Sequence, residues 1–431
     1  MNRTSRPFLV YADSRGQIFE WPELEMLGSA GSELKRLAPG EWVPLPPGSE
    51  LFLLPYRLPM GYNAGERRSE VLAEDPYAPG KPVQAVAAFV APAHTQIYSA
   101  AYRTLPGAPL LPLFAYTAVG WKDGQFVAAA VRVDPDERQD FRHFDPQEIR
   151  RRADAQVNKE QHNRLFRHLR KCAVSYGCPA ARNLFVGRWE APLPTSPACN
   201  ADCLGCISLQ KGNEIAASQE RIRFVPSVDE ITAVGIPHLK EASKAVVSFG
   251  QGCEGEPLLQ ADVIQEAVSQ MRQATTRGTI NLNTNGSLPE AVEKLCRSGL
   301  DSIRVSLNSC RPDYYAAYFR PRGYRFEALV QSIQTVKAHG GFASINCFVL
   351  PGFTDQEEEW DALCRFLKGT NVDLIQMRNL NIDPEWYLKT LNISQNAKAI
   401  GILRWMQRLK DRFPDLRFGY YNPCLDTGTP G

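Results

Sequence analysis

The sequence predicts an α/β protein: a partial (β/α)6, TIM-like barrel with a β-rich N-terminal domain and a short α+β C-terminal extension. Three observations predict it. From about Val186, short β-like runs alternate with amphipathic helical stretches, a pattern that argues for parallel strands with helical crossovers. The unusual residues fall directly after those runs, where the βα loops of a barrel carry its chemistry. Before about residue 140 the texture is different, rich in Pro, Gly and short β-like runs, which reads as an all-β unit.

In chain order, residues 1–140 form the β-rich domain. "ELFLLPYRL", "VQAVAAFVA" and "LFAYTAVGWKDGQFVAAAVRV" are its clearest strands, and Asp123-Gly124 reads as a hairpin turn. Residues 141–185 form a basic helical connector, with Asp145 as N-cap and Pro146 at the first helical position. Its Arg150, Arg151, Arg152, Lys159, Arg164, Arg167, Arg170 and Lys171 suit either a phosphate-facing surface or a solvated helix face. In the second case Val157, Leu165, Phe166 and Leu169 turn inward.

Residues 186–384 form the barrel, with strands "AVVSFG", "TINLNTNG", "SIRVSLNS", "ASINCFVLPG" and "LIQMRNLN". Residues 385–431 add a helix ("AKAIGILRWMQRLKDRF"), a short strand ("LRFGYY") and a Gly- and Pro-rich stub expected to lack order.

A chain of 431 residues exceeds one small core. Its 44% hydrophobic and 22% charged content is ordinary for a globular protein, and a net charge of +2 predicts no polyanion partner. The start shows no signal-peptide pattern. The most apolar stretch, residues 108–121, is broken by Pro109 and Pro112 and falls short of the about 20 residues a bilayer requires. A soluble, cytoplasmic protein is expected. In a reducing compartment clustered cysteines suggest metal rather than disulfides.

Within "SPACNADCLGCISLQ", Cys199, Cys203 and Cys206 stand in C-x3-C-x2-C spacing without a regular fourth partner. Structural zinc normally takes four ligands. A 4Fe–4S cluster takes one cysteine per iron, so three cysteines leave one iron open to an exogenous molecule.

"CNADCLGC" after a strand-like segment resembles the signature of the radical S-adenosylmethionine superfamily, and the likeness runs from about Val186 to Asn381. The resemblance implies that S-adenosylmethionine binds the unique iron through its amino and carboxylate groups. It implies reductive cleavage to a 5′-deoxyadenosyl radical that abstracts hydrogen from substrate. "GEP" at Gly255, Glu256 and Pro257 is similar to the family's glycine-rich turn for the methionyl amino group. Asn283 and Asn285 lie in the next strand end. Ser306 matches the serine near ribose or carboxylate, with Asn308 beside it, and Val349 and Gly352 match the strand end that holds adenine.

Two departures stand out. Gly205 replaces the aromatic residue that many members carry before the third cysteine, so adenine packing is expected from Ile207 or the Val349 loop. The glycine turn is expanded to "GQGCEGEP", inserting Cys253 and Glu254.

Cys253 is a candidate hydrogen-atom donor or auxiliary ligand, or else a loop thiol. With Cys172, Cys178 and Cys424 it is a suspect for a second cluster, although the usual paired spacing is missing. Cys296, Cys310, Cys347 and Cys364 read as packing residues. Arg304, Arg320, Arg322 and Arg378 could bind a substrate carboxylate or phosphate, Arg378 being best placed as a catalytic-site residue. The six histidines form no metal-like spacing among themselves and receive no role.

The expected function is reductive cleavage of S-adenosylmethionine at a 4Fe–4S cluster, with a flavodoxin or ferredoxin type of electron donor. The expected substrate is a small metabolite, with a peptide side chain or RNA as alternatives. The rival of another class is a zinc- or cluster-stabilised binding protein that uses the basic connector.

Overall fold

In the computed structural model, which describes residues 6–212, 214–394 and 398–425, the alternating region forms one seven-stranded parallel sheet. Strands β1 (Arg188–Pro192), β2 (Ser243–Phe249), β3 (Thr279–Thr284), β4 (Ser302–Leu307), β5 (Phe342–Val349), β6 (Leu374–Asn379) and β7 (Arg417–Gly419) pair in chain order. The short strand of the C-terminal extension is thus the seventh strand of the barrel sheet, with Leu374 opposite Arg417. The expected Gly- and Pro-rich stub lies largely outside the described residues.

The strands alternate in character because both faces are covered by different material. Ile280, Leu282, Ile303, Val305, Ile345 and Ile375 are fully buried in the core shared with the flanking helices. The alternate positions are polar and meet across the strands: Asn281 Nδ2 donates to Asn283 Oδ1 at 2.8 Å, Ser302 Oγ to Asn281 Oδ1 at 2.8 Å, and Arg304 Nη1 to Gln376 Oε1 at 2.9 Å. Period-two sequence in a doubly covered sheet therefore marks a polar lumen rather than a solvent face.

The connector is three helices, α1 (Pro146–Lys159), α2 (Arg164–Val174) and α3 (Pro179–Phe185). Asp145 caps α1 through Gln147 N, and Asn163 caps α2 through Phe166 N. Leu165, Phe166 and Leu169 are buried as expected. Much of the basic face is paired: Arg151 and Arg152 with Glu148, Arg164 with Glu230, Arg170 with Asp154 and Lys171 with Glu220. Among the described residues, no helix is long and apolar enough to cross a membrane.

The N-terminal strands form a largely antiparallel, 12-stranded sheet. Asp123 (φ 50°) and Gly124 (φ 80°) turn Val119–Lys122 into Gln125–Ala128. Two positive φ values in a two-residue loop suit the right-handed twist of a hairpin.

Both this sheet and a separate two-stranded ribbon, His94–Gln96 paired with Ala130–Arg132, are bolted onto the end of the barrel. Thr95 Oγ1 donates to Met377 O at 2.9 Å, and Gln96 N to Asn379 Oδ1 at 2.8 Å. Arg57 and Asp383, 2% and 1% exposed, pair at 2.9 Å. Asp383 also accepts from Leu111 N at 3.0 Å and caps the helix Pro384–Thr390. Removing one partner of a buried pair leaves the other charge stranded. Asp383→Ala is expected to lose about 3–5 kcal/mol in urea unfolding; a loss below about 1 kcal/mol would show that this pair does not hold the sheet to the barrel.

Candidate active site

The cysteine loop follows β1 and is held from two sides. On one side it runs along the end of the helix Pro312–Phe319. Asp202 N donates to Phe319 O at 2.9 Å, Leu204 N to Tyr318 O at 3.0 Å, and Arg322 N to Asn200 O at 2.8 Å. The Arg322 guanidinium reaches Cys199 O at 2.5 Å, so this suspected substrate arginine supports the loop.

On the other side lies the glycine turn. Gly255 N donates to Ser196 O at 2.6 Å and Glu256 N to Ala198 O at 2.8 Å. A Cβ at Gly255 would stand 1.9 Å from Ala198 O. This glycine therefore permits loop-to-loop contact, where the sequence suggested an approach to ligand.

The inserted Glu254 closes the same junction. Its carboxylate accepts from Thr195 N (2.7 Å), Ser196 N (2.9 Å) and Gln251 N (2.6 Å). Glu256 ties the turn onward to β3, accepting from the Thr284 hydroxyl, Asn285 N (2.8 Å) and Leu258 N (3.0 Å). Burial raises both carboxyls, Glu256 to about 7. Asn285 closes the circuit by donating to Asn200 Oδ1 at 2.8 Å.

Cys199, Cys203 and Cys206 are free, partly buried thiols. Burial, then Glu256, raises Cys199 to about 11; burial, then Cys206 and Cys199, raises Cys203 well above the usual range. Thiols that oppose each other's ionisation call for a cation. Arg221 Nη2 lies 3.3 Å from Cys206 Sγ and is a neighbour the sequence reading missed.

Among the described residues, His168, Cys172 and Cys253 are the one group of metal-ligating side chains with ligand atoms all within 4.8 Å of one another. Cys199, Cys203 and Cys206 form no such group, and their sequence brings no fourth cysteine at a regular interval. Three cysteines fit a cluster with one cysteine per iron better than a four-ligand zinc ion.

The lumen brings most of the remaining site residues together. Asn283 Oδ1 accepts from Asn281 and, at 3.3 Å, from Asn422. Asn308 Nδ2 donates to Tyr387 at 3.0 Å. Ser306 sits opposite Asn346 on β5, and Phe348 opposite Arg378 on β6. The Arg378 guanidinium covers the Tyr420 ring at 3.8 Å. Burial, then the Arg378 charge, lowers Arg304 to about 9. Asn283 Nδ2, Arg304 Nε, Asn308 Oδ1, Asn346 Oδ1 and Arg378 Nε are buried without a hydrogen-bond partner.

Val349 ends β5, and Gly352 follows in the next loop. Val349 O accepts from Gln96 Nε2 at 3.3 Å, and a Cβ at Gly352 would meet Gly31 N at 2.0 Å. Both contact the N-terminal domain. Pro257 starts a short 3-10 turn after Glu256.

Three further features escaped sequence reasoning. Tyr318 fills the place beside Gly205, its hydroxyl 2.7 Å from where a Cβ would be. Asn422 enters the lumen and donates to Glu190, Ser248 and Asn283 while accepting from Gln376 Nε2 at 3.0 Å. His168 stands one helical turn from Cys172, a spacing visible only if histidines are compared with cysteines.

The radical SAM superfamily profile matches residues 193–365. This stretch is a radical SAM domain, and the cofactors of that family are a 4Fe–4S cluster and S-adenosylmethionine. The chain is similar to molybdenum cofactor biosynthesis protein 1 of Drosophila melanogaster, 23% identical over 51% of this chain and 35% of that protein. It is also similar to a probable GTP 3′,8-cyclase of Thermococcus kodakarensis, 28% identical over 42% of this chain and 53% of that one. The chain thus spans about a third to a half of the length of these relatives. Among solved structures, a radical SAM methyltransferase from Sphaerobacter thermophilus aligns with 54% of this chain and 66% of its own at 15% identity, with a TM-score of 0.40.

The contact at Gly205 is testable. Gly205→Ala overpacks against Tyr318 and should cost about 1–3 kcal/mol. Tyr318→Phe removes the opposing oxygen, so the double variant should be more stable than the sum of the single losses. Thermal unfolding of anaerobic protein measures this, and strictly additive losses would refute the contact.

Proposed function

On the premise that residues 193–365 form a radical SAM domain, we propose that this chain reductively cleaves S-adenosylmethionine and directs the resulting radical at a small anionic metabolite. When bound, the cluster supplies the electron that breaks the sulfonium. Cys199, Cys203 and Cys206 would hold three of its irons, and the fourth would receive S-adenosylmethionine. Backbone carbonyls of the Gly255–Pro257 turn would accept from the methionyl ammonium, with Asn283, Asn285, Ser306 and Asn308 lining the mouth. The two-stranded N-terminal ribbon covers the strand ends at Val349 and Asn379 and would keep water from the radical.

One observation carries the substrate class: Arg304 and Arg378 face one lumen and each has a buried Nε without a partner. Guanidinium pairs of this kind suit a carboxylate or phosphate. The relatives' names, which include GTP 3′,8-cyclase, make a purine nucleotide the first compound to test. The local pairing of much of the connector's charge favours a small molecule over RNA. A flavodoxin or ferredoxin type of donor would supply the electron.

Anaerobic protein with dithionite and S-adenosylmethionine should release 5′-deoxyadenosine, and Cys203→Ala should abolish that release. Equal release by the variant would sink the cluster assignment. With an anionic substrate in hand, Arg378→Gln should raise KM by about tenfold or more while substrate-free cleavage stays unchanged. An unaltered KM would remove Arg378 from the substrate site.

A further inference from the structure

Outside the active site, one side-chain cluster has the composition and dimensions of a mononuclear metal site. His168 and Cys172 lie on successive turns of α2, and Cys253 comes from the loop after β2. Their three ligand atoms lie within 4.8 Å of one another. His168 Nε2 and Cys172 Sγ are 3.6 Å apart. A tetrahedral zinc ion with Zn–N of about 2.0–2.1 Å and Zn–S of about 2.3 Å sets its N and S ligands about 3.6 Å apart.

Cys172 and Cys253 are buried, and both are free thiols. Cys178 caps α3, and its backbone N–H donates to Cys172 O at 2.9 Å, which folds the chain back toward the group. Cubane ligands each take a different iron and stand farther apart than ligands of one ion.

We propose that His168, Cys172 and Cys253 bind one zinc ion. Binding releases the thiol protons, and the neutral imidazole coordinates through Nε2. The ion ties connector helix α2 to the residue immediately before Glu254, and so to the turn that packs on the cysteine loop.

Protein made in zinc-supplemented medium and purified anaerobically should hold one zinc per chain beside its cluster iron. A chromophoric zinc chelator should remove that zinc from the wild type without bleaching the iron–sulfur absorbance. Cys253→Ser, and His168→Ala with Cys172→Ser, should lose zinc and keep iron, while His168→Cys should keep both. Cobalt(II) in place of zinc should show intense tetrahedral d–d and thiolate charge-transfer bands that the zinc-deficient variants lack.

Wild-type protein with full iron and no zinc would overturn the assignment, as would undiminished zinc in Cys253→Ser. A second complement of iron lost in the same variants would replace it with an iron–sulfur site, and a Cys172–Cys253 disulfide in anaerobic protein would also refute it. None of these readouts depends on cleavage of S-adenosylmethionine, so they succeed or fail apart from the proposed function.

Discussion

The site depends on one buried carboxylate. Glu254 accepts three backbone N–H groups, two from the start of the cysteine loop and one from its own turn, with the Thr195 hydroxyl as a fourth donor at 3.2 Å. A carboxyl group has two oxygens that accept from several directions, so it can collect converging donors that a single amide oxygen could not satisfy. With Glu254 in place, Gly255 can lie against Ala198, Glu256 can reach Thr284 and Asn285, and Asn285 can reach Asn200. Three βα loops become one body. Without that junction the cysteines would be three thiols on a long flexible segment, and assembling a cluster would carry the full entropy of ordering it.

The barrel and the order of its loops were legible in the sequence because both are local. Strand–helix alternation and C-x3-C-x2-C are read within short windows, and the polar residue at every second strand position follows from the same period. The expanded turn was legible as an anomaly, but Glu254 as a clamp was not, since its donors lie 58 and 59 positions away at Ser196 and Thr195. Gly205 likewise gave no sign of Tyr318, which reaches it from the end of another helix. β7 was read as part of an appendage because three residues cannot show that they extend a sheet. The fit of Arg57 to Asp383, 326 positions apart, lies beyond any periodicity.

The lumen shows why a barrel with so polar an interior still folds. Asn281, Asn283, Ser302, Gln376 and Asn422 bond to one another across strands, so most of the lower lumen is satisfied and adds specificity rather than cost. Asn422 completes the network from the C-terminal segment. Satisfaction fails toward the strand ends, where Arg304, Asn346, Arg378 and Asn308 keep buried atoms without partners. Two guanidiniums held close enough for one to lower the other are expensive to keep in a folded chain. An anionic group between them would offset that cost, and the lower network leaves it only the mouth in which to sit.

The connector helices bear on the same chemistry through Cys253. Its carbonyl accepts Ile222 N at 2.7 Å, its thiol faces Cys172 on α2, and the next residue is the clamp itself. The Cys253 thiol, and after it His168, holds Cys172 below the usual thiol range. A displacement of α2 would therefore be felt at Glu254 within one peptide unit, and through Gly255 at the loop that carries Cys199. Because α1 to α3 precede the barrel in the chain yet brace its second loop, the connector belongs mechanically to the site. The expansion from a plain glycine turn to "GQGCEGEP" supplies both parts of that brace: one residue that reaches the helix and one that reaches the cysteine loop.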